Sequence, residues 1–287
     1  MQLPHSDILE IAHFSRLFDN KSECYKLFWF QAIARKIKEG QKTITFETLI
    51  DEMIADAWYM VLEYRLNLGP NDALERVVHR LGEISNMKSC EKKEVILEYL
   101  EACNDKEVTA MKRILSQNVP YRLQAPFMDS MKGKEWSRSG KNLAERINQE
   151  QRLMYYFLQF SGLNTQIQIQ EEWADYIDRN YEIIQGWVEL NLIQYLQKRN
   201  PCVSGIVDKL YPPKERNLEK VKKYWKMLVS IKPICEIYGE NRLSENNLSI
   251  DHFVPWSYVA HDELWNLTPT TRSINSSKSN SLPDWNM

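Results

Sequence analysis

The sequence predicts a mainly helical protein that ends in a small module of mixed α and β structure. Apolar residues recur at spacings of three and four through most of the first 200 residues, which is the period of amphipathic helices. Between residues 249 and 280, two short strands and a polar helix follow one another instead. Proline, glycine and asparagine between residues 200 and 213 mark a linker. We therefore divide the chain into a helical scaffold or regulatory region, 1–200, and a C-terminal region, 201–287, that begins with a linker helix.

The helices of the first region are predicted from their apolar period and from their end signals. Two long helices are expected over 25–37 and 49–64, with Thr45 capping the start of the second and the Gly69–Pro70 step ending it. A strand is expected over 166–170, where apolar and polar residues alternate. Further helices are predicted over 72–84, 92–102, 107–115 and 173–196, and the linker helix of the C-terminal region is predicted over 218–230. The many aromatic residues of these helices are expected to form a core.

The composition is that of a chain that folds around a core, because 43% of the 287 residues are hydrophobic and 26% are charged. No apolar run approaches the roughly 18 residues of a membrane span, and the first residues lack the basic and apolar segments of a signal peptide. We therefore expect a cytoplasmic protein that does not bind a membrane.

The cysteines indicate neither disulfides nor a zinc site. Five are present, an odd number, and none belongs to a pair separated by two residues. We expect them to be reduced, and we expect no zinc.

The charge distribution points to one basic segment. The net charge of −2 and the pI of about 6.3 do not suit a protein that holds nucleic acid by overall charge. The first 200 residues contain 26 basic and 29 acidic residues, whereas the remainder contains 11 and 10. A cluster of cations near the linker helix either follows a phosphate backbone or forms a solvated helix face. Its members are Lys209, Lys214, Arg216, Lys220, Lys222, Lys223 and Lys226.

Four polar residues near the C-terminus suit the hydrolysis of a phosphodiester. That reaction needs an activated water and a cation that neutralises charge on the phosphorus. Asp251 and Asn275 offer hard oxygen donors for Mg²⁺, for which Mn²⁺ is expected to substitute. His252 is a general base for the water, and it should point to the opposite side of its strand from Asp251. Lys278 follows Asn275 at i+3 on the same helix face, where it is expected to neutralise a phosphate oxygen.

Asn266 is expected to position this site rather than to bind the metal. It lies 14 residues after His252, on the predicted second strand, and its side chain should bond the backbone of the intervening loop. That contact would fix the His252 ring. Pro269 is expected to end the second strand, and Thr270 or Thr271 is expected to cap the helix that follows.

These residues resemble the HNH, or ββα-metal, endonucleases over about residues 249–285. The order of Asp251 and His252, then Asn266, then Asn275 with the following lysine, is similar to the HNH domain of Cas9-type nucleases. The resemblance implies a small ββα domain, with Asp251 and Asn275 as metal ligands, His252 as the base and Asn266 as the residue that orients the loop. It also implies products with a 5′ phosphate and a 3′ hydroxyl. The whole chain resembles stand-alone bacterial HNH proteins of restriction or anti-phage type.

The function that these inferences favour is Mg²⁺-dependent hydrolysis of DNA, in anti-phage defence or restriction. The acidic helical region is expected to control the nuclease, through a regulatory partner protein or through self-association. Two other functions stay open at this point. One is an RNA-cleaving toxin with the same site, and the other is a module that binds nucleic acid or a partner without catalysis. His252 argues against the second, because binding alone needs no base there.

Overall fold

Helices dominate the first of the two units into which the chain divides, Met1–Val203 and Ser204–Met287. The computed structural model describes residues 2–19, 23–70, 72–137, 140–212, 218–239, 241–259, 262–279 and 281–282. The helices of the first unit are α1 (Ile11–Ser15), α2 (Tyr25–Lys38), α3 (Phe46–Leu62), α4 (Ala73–Ser85), α5 (Lys93–Ala102), α6 (Lys106–Leu115), α7 (Val119–Arg122), α8 (Gly140–Ile147), α9 (Glu171–Arg179) and α10 (Tyr181–Arg199). The prediction of a mainly helical fold is confirmed.

The core of this unit lies around α2 and α3. The rings of Trp29, Phe30, Phe46 and Trp58 are almost completely buried, and α3 packs against α2, α4 and α5. Burial of such aromatic side chains is the main term that stabilises a helical unit of this kind. The predicted aromatic core is therefore present. Among the described helices, none combines the length and the apolarity that spanning a lipid bilayer requires.

Aspartate 72 caps α4 from a buried position. Asp72 Oδ1 accepts hydrogen bonds from the backbone N–H groups of Leu74 and Glu75 at 2.8 and 3.0 Å. The residue is only 3% exposed. Burial raises the pKa of the Asp72 carboxyl to about 6, although the two backbone donors act in the opposite direction.

A three-stranded antiparallel sheet completes the first unit. Its strands are β1 (Thr43–Thr45), β2 (Tyr155–Phe157) and β3 (Gln166–Ile169), in the order β1-β3-β2. The strand predicted over 166–170 is confirmed as β3, whereas the two strands that flank it were not predicted. Thr45 ends β1 and also caps α3, as expected, by accepting a bond of 3.1 Å from the N–H of Thr48.

Two helix boundaries differ from the prediction. The helix α3 ends at Leu62, before the Gly69–Pro70 step, because Arg65 adopts a left-handed conformation with φ of 50° and Leu66 N–H turns back to the carbonyl of Met60. The N–H of Arg65 also bonds the carbonyl of Val61 at 3.0 Å, which is the αL type of helix end without glycine, and Leu66 is buried after it. The helix predicted over 173–196 is two helices, because Asn180 interrupts it and donates from its side chain to the carbonyl of Tyr176 at 2.9 Å.

The second unit carries the predicted ββα module. After a 3₁₀ turn, Ile206–Lys209, it contains α11 (Glu219–Ile231), β4 (Leu248–His252), α12 (Trp256–Val259), β5 (Leu267–Thr271) and α13 (Arg272–Lys278). The strands β4 and β5 form an antiparallel ribbon, and α13 packs against both of them. The helix α11 corresponds to the predicted linker helix and packs against β4.

Candidate active site

The antiparallel ribbon sets the position of each motif residue. Asp251 pairs with Thr268 and His252 pairs with Leu267. The prediction that Pro269 ends the second strand is wrong, because Pro269 lies in the middle of β5 opposite Ile250. Along such a ribbon, pairs of opposite residues that bond each other through the backbone alternate with pairs that do not. Phe253 N–H donates to the carbonyl of Asn266 at 2.8 Å, so the alternation makes Ile250 and Pro269 a pair without backbone bonds. The nitrogen of Pro269 therefore faces away from β4, where it interrupts no bond of the ribbon.

Helix α13 bonds the outer edge of β4 through two side chains. Thr271 caps the helix by accepting from the N–H of Ile274 at 3.4 Å, so one of the two predicted caps is confirmed. Asn275 Nδ2 donates to the carbonyl of Ile250 at 3.1 Å, and Lys278 Nζ donates to the carbonyl of His252 at 2.7 Å. Asn275 and Lys278, three residues apart on the helix, thus reach the two carbonyls of β4 that point away from β5.

Asp251 is a buried carboxylate with two partners. The residue is 4% exposed, and its Oδ2 accepts a bond of 2.5 Å from the hydroxyl of Tyr238. Lys278 Nζ lies 3.1 Å from the same oxygen. This differs from the expectation that Lys278 would meet a phosphate, since its ammonium neutralises Asp251 instead. Burial, and then the bond to Asp251, raise the pKa of the Tyr238 hydroxyl well above its usual range.

The turn that carries Tyr238 is fixed by a second buried carboxylate. Cys235 and Arg242 form an isolated antiparallel bridge across this turn. Glu236 is 3% exposed and accepts hydrogen bonds from Asn241 Nδ2 at 2.6 Å and from Thr270 Oγ1 at 3.1 Å. The turn is thereby bonded to β5, which holds the Tyr238 hydroxyl against Asp251.

His252 has different partners from Asp251, as expected for neighbours on a strand. Its Nε2 lies 2.6 Å from Oδ1 of Asp262, and its ring stands edge-on to Trp256 at 5.7 Å. The side chain is 12% exposed. A carboxylate beside one ring nitrogen fixes the orientation of an imidazole and determines which nitrogen carries the proton.

Asn266 bonds the loop backbone, as the sequence predicted. Its Oδ1 accepts from the N–H of Val254 at 2.7 Å, and its Nδ2 donates to the carbonyl of Val254 at 2.9 Å. The residue is completely buried in the 3₁₀ turn Leu264–Asn266, immediately before β5 rather than on it. It therefore fixes the chain two residues after His252.

The donors available for a divalent cation are oxygens. Asn275 Nδ2 donates hydrogen bonds to Ser249 Oγ at 3.0 Å and to the carbonyl of Ile250. The amide oxygen of Asn275 is not used in these two bonds. Asp251 supplies a carboxylate from β4, the strand that Asn275 contacts. Such hard oxygens fit Mg²⁺, which retains several waters and needs only one or two protein ligands. No cluster of three or more His, Cys, Asp or Glu side chains that could hold a metal occurs among the described residues.

The basic cluster is only partly a surface. Lys209 is 2% exposed and donates to the carbonyls of Ser204 and Tyr258 at 2.5 and 3.3 Å, so the expectation that it contacts nucleic acid is wrong. Burial lowers the pKa of this ammonium. Lys214 and Arg216 lie outside the described residues.

The other four cations, Lys220, Lys222, Lys223 and Lys226, lie on α11. The first and third are exposed and the other two are half-buried. The helix is joined to the ribbon by Trp225, whose indole N–H donates to the carbonyl of Leu267 at 3.1 Å. The basic helix face and the ββα element therefore belong to one structure.

Sequence reasoning missed Tyr238 and Asp262. Each contacts a predicted site residue, although neither belongs to the motif. The signal for Asp262 was a carboxylate ten residues after His252, in the loop between the strands. Nothing in the sequence around Tyr238 indicated its role.

Comparison with known families agrees with this geometry. Residues 236–284 match the family model described as HNH endonuclease, and the match includes β4, β5 and α13. It is consistent with an HNH domain in the C-terminal region, which implies a nuclease and hence a hydrolase. HNH nucleases use divalent metals and act on nucleic acids. No curated protein and no solved structure matched the chain significantly.

Proposed function

We propose that this protein is a Mg²⁺-dependent endonuclease that hydrolyses DNA phosphodiester bonds through its HNH domain. The observation that carries the proposal is the convergence of all five motif residues on one ββα element. Asp251 and His252 end β4, Asn275 and Lys278 reach β4 from α13, and Asn266 holds the loop after β4.

In this proposal His252 is the general base. Asp262 accepts a hydrogen bond from Nε2–H, so the neutral imidazole keeps its proton on Nε2, and Nδ1 is able to take a proton from the attacking water. The Trp256 ring packs against the imidazole and limits its rotation. Asn266 holds the adjacent backbone at Val254, so the base keeps its position when nucleic acid binds.

Asp251 and the amide oxygen of Asn275 would hold the metal. Bound Mg²⁺, or Mn²⁺ in its place, would neutralise charge that develops on the phosphate and on the leaving oxygen. The bond from Tyr238 orients the Asp251 carboxylate, and the bonds from Asn275 Nδ2 turn the amide oxygen outward. Zinc has no role in this proposal.

DNA is the substrate that we propose, and the lysines of α11 would contact its phosphates. No ion pair joins these four lysines to another described carboxylate, so their charge remains available to a polyanion. The setting that we propose is bacterial anti-phage defence or restriction in the cytoplasm. The helical unit, whose sequence is net acidic, would control cleavage through a protein partner or through self-association.

The test is incubation of the purified full chain with supercoiled plasmid, single-stranded DNA or total RNA, each with Mg²⁺, Mn²⁺ or EDTA. We expect plasmid cleavage with either metal and none with EDTA. His252→Ala should abolish cleavage without changing the thermal stability or the affinity for DNA. His5→Ala, which removes an exposed histidine of the other unit, is the matched control.

The metal ligands are tested separately. Asp251→Ala and Asn275→Ala should weaken metal binding first, so high Mn²⁺ should partly restore cleavage by Asn275→Ala. Wild-type turnover by His252→Ala would refute the assignment of the base. Cleavage of RNA alone would replace DNA as the substrate, and binding of DNA without cleavage under any metal condition would refute the enzyme.

A further inference from the structure

A cleft of about 490 Å³ opens in the helical unit, and all of its lining residues belong to that unit. Its walls come from the start of α2, the end of α6, the helix α7 and the 3₁₀ turn Gly133–Ser137. Clefts of roughly 300 to 1,000 Å³ are the usual size of sites for small molecules. The floor is apolar, with Leu115 and Val119 both buried. Nothing in the chemistry of the nuclease site uses this cleft.

Two cations line the cleft without a carboxylate to neutralise either of them. Lys26 and Arg122 both line it, and neither is within 4.0 Å of a carboxylate in the described part of the chain. Burial lowers the pKa of Lys26, the Arg122 charge lowers it further, and only Asp19 acts in the opposite direction. Two like charges that approach each other in a partly buried cleft are unfavourable unless an anion lies between them.

Arg122 is held in place by Trp136. Its guanidinium lies over the indole ring at 4.8 Å from the centroid, and its Nη2 donates to the backbone carbonyl of Trp136 at 3.3 Å. The indole N–H in turn donates to the carbonyl of Met131 at 3.2 Å. The planar guanidinium and indole are thus fixed before any ligand binds, and flat groups of this kind stack well on aromatic rings.

A carboxylate and an amide also line the cleft. Glu23 lines the cleft, and one oxygen of its carboxylate is buried against Gly69 with no hydrogen-bond partner among the described residues. The exposed side chain of Asn118 stands at the same cleft. A ligand that suits all these groups has an anionic end for the two cations, a flat ring for the stack and a donor for Glu23.

We propose that this cleft binds a nucleotide, with its phosphate between Lys26 and Arg122 and its base against the stack of Arg122 and Trp136. The amino or hydroxyl groups of the nucleotide donate to the Glu23 carboxylate at the cleft wall. The proposal does not depend on the nuclease assignment, because the cleft belongs to the helical unit alone. It gives the helical unit a small-molecule ligand of its own.

The test is calorimetric titration of the full chain in EDTA, so that no metal brings nucleotides to the ββα element. The probes are AMP, ATP, GMP, adenosine and inorganic pyrophosphate. We expect at least one nucleotide to bind at least about tenfold more tightly than adenosine or pyrophosphate, because only a nucleotide uses both the cations and the stack. The variant His252→Ala should bind it equally well.

Substitutions identify the cleft as the site. Lys26→Gln and Arg122→Gln should each weaken nucleotide binding by at least about tenfold. Arg122→Lys should retain pyrophosphate binding while losing the preference for a nucleotide. Lys134→Gln, which removes an exposed lysine from the same 3₁₀ turn as Trp136, is the control and should bind as the wild type does.

Two results would overturn the proposal. One is the absence of binding by every nucleotide up to about 1 mM, which would correspond to less than about 4 kcal/mol of binding free energy. The other is nucleotide binding that Lys26→Gln and Arg122→Gln, with wild-type thermal stability, leave unchanged. If Lys26→Gln or Arg122→Gln proves unstable, Arg122→Lys, which preserves the charge, decides the matter: an unchanged preference for a nucleotide over pyrophosphate in that variant also overturns the proposal.

Discussion

Lys278 Nζ lies 3.1 Å from Oδ2 of Asp251, so the carboxylate that we assign to the metal is neutralised by a cation of the chain itself. Both side chains are almost fully buried, at 8% and 4% exposure. A divalent metal at Asp251 must therefore compete with this ammonium. The pair stabilises the domain when no metal is bound and opposes metal binding at the same time.

Replacing Lys278 by methionine should separate these two effects. Without metal, Lys278→Met leaves a buried carboxylate unpaired, and the free energy of unfolding should fall by about 3 kcal/mol. With the competitor removed, the same variant should bind Mg²⁺ several-fold more tightly, and Mg²⁺ should restore most of the lost stability. Urea unfolding with and without Mg²⁺, together with calorimetric titration of Mg²⁺, measures both quantities.

Lys232→Met is the control, because Lys232 is exposed in the same unit. It should change neither the stability nor the Mg²⁺ affinity. Weaker Mg²⁺ binding by Lys278→Met would mean that the ammonium does not compete with the metal at Asp251.

Removing Asp262 should slow the chemical step. Asp262→Ala leaves the imidazole of His252 without its oriented partner at 2.6 Å, so single-turnover cleavage should slow by about 10- to 100-fold. The affinity for DNA, measured in EDTA, should not change. Glu263→Ala, at the neighbouring exposed position, should cleave at the wild-type rate. An unchanged rate for Asp262→Ala would show that the pair is only structural.

The lysines of α11 should determine the salt dependence of DNA binding. Reversal of Lys220, Lys222 and Lys223 to glutamate should weaken binding by at least about tenfold, and the plot of log affinity against log salt should become shallower by about 2 to 3. Fluorescence anisotropy with labelled duplex DNA in EDTA measures this across a salt titration. Folding should be preserved, because none of these side chains is buried.

A second triple variant controls for net charge. Lys88, Lys92 and Lys106 are exposed on the helical unit, and their reversal to glutamate changes the net charge by the same amount. If the two triple variants bind DNA equally well, α11 is a solvated face and not the contact surface.

Asp72 should make the stability of the helical unit depend on pH. Because burial raises the pKa of this carboxyl to about 6 in the folded protein, against about 4 in an unfolded chain, the folded state binds the proton more tightly. This stabilisation is therefore complete below about pH 4 and is lost as the pH rises through about 6. Asp72→Asn, which can still cap α4, should remove a slope worth about 2 to 3 kcal/mol over that interval.

Two other buried carboxyls bear on this measurement. Burial also raises the pKa of Asp51 to about 6, against the opposite effect of Lys112, so some slope should remain in the variant. Burial raises the pKa of the Glu52 carboxyl, but Lys93 and the other cations beside Glu52 outweigh it and lower this pKa to about 2. Glu52 therefore changes the free energy of unfolding mainly below the pH range of this measurement. Urea unfolding at pH 4 to 7 compares Asp72→Asn with the exposed Asp175→Asn, which should behave as the wild type. Equal slopes in all three proteins would contradict the prediction.

Local patterns were sufficient for most helices of the fold. The periods of α2 to α6 lie in contiguous sequence, and Thr45 carries its own capping signal. The strands β1 and β2 escaped prediction because three residues are too few to show a period, and because their partner β3 is remote, as Thr43 opposite Gln168 illustrates. The end of α3 was misplaced because Arg65 takes a conformation that glycine usually signals.

The residues of the candidate site that belong to one short sequence motif could be predicted. The residues that contact this motif only in the folded protein could not. The spacing of Asp251, Asn266 and Asn275 follows from the ribbon and the helix themselves. Tyr238 and Asp262 reach the site only through turns, whose geometry depends on buried contacts such as that of Glu236. A cluster of basic residues in the sequence likewise does not show which side chain is buried in the folded protein. Here that side chain is Lys209.

The edges of the β4 and β5 ribbon have a consequence for self-association. Two outward carbonyls of β4 are occupied by Asn275 and Lys278, an outward carbonyl of β5 is occupied by Trp225, and Pro269 offers no N–H on that side. An exposed strand edge normally invites a further strand, from another copy or from an extended peptide. Over these positions the ribbon presents few unpaired groups to such a strand. The hairpin that holds the site is thereby protected from edge-to-edge pairing, the contact that begins amyloid-like aggregation.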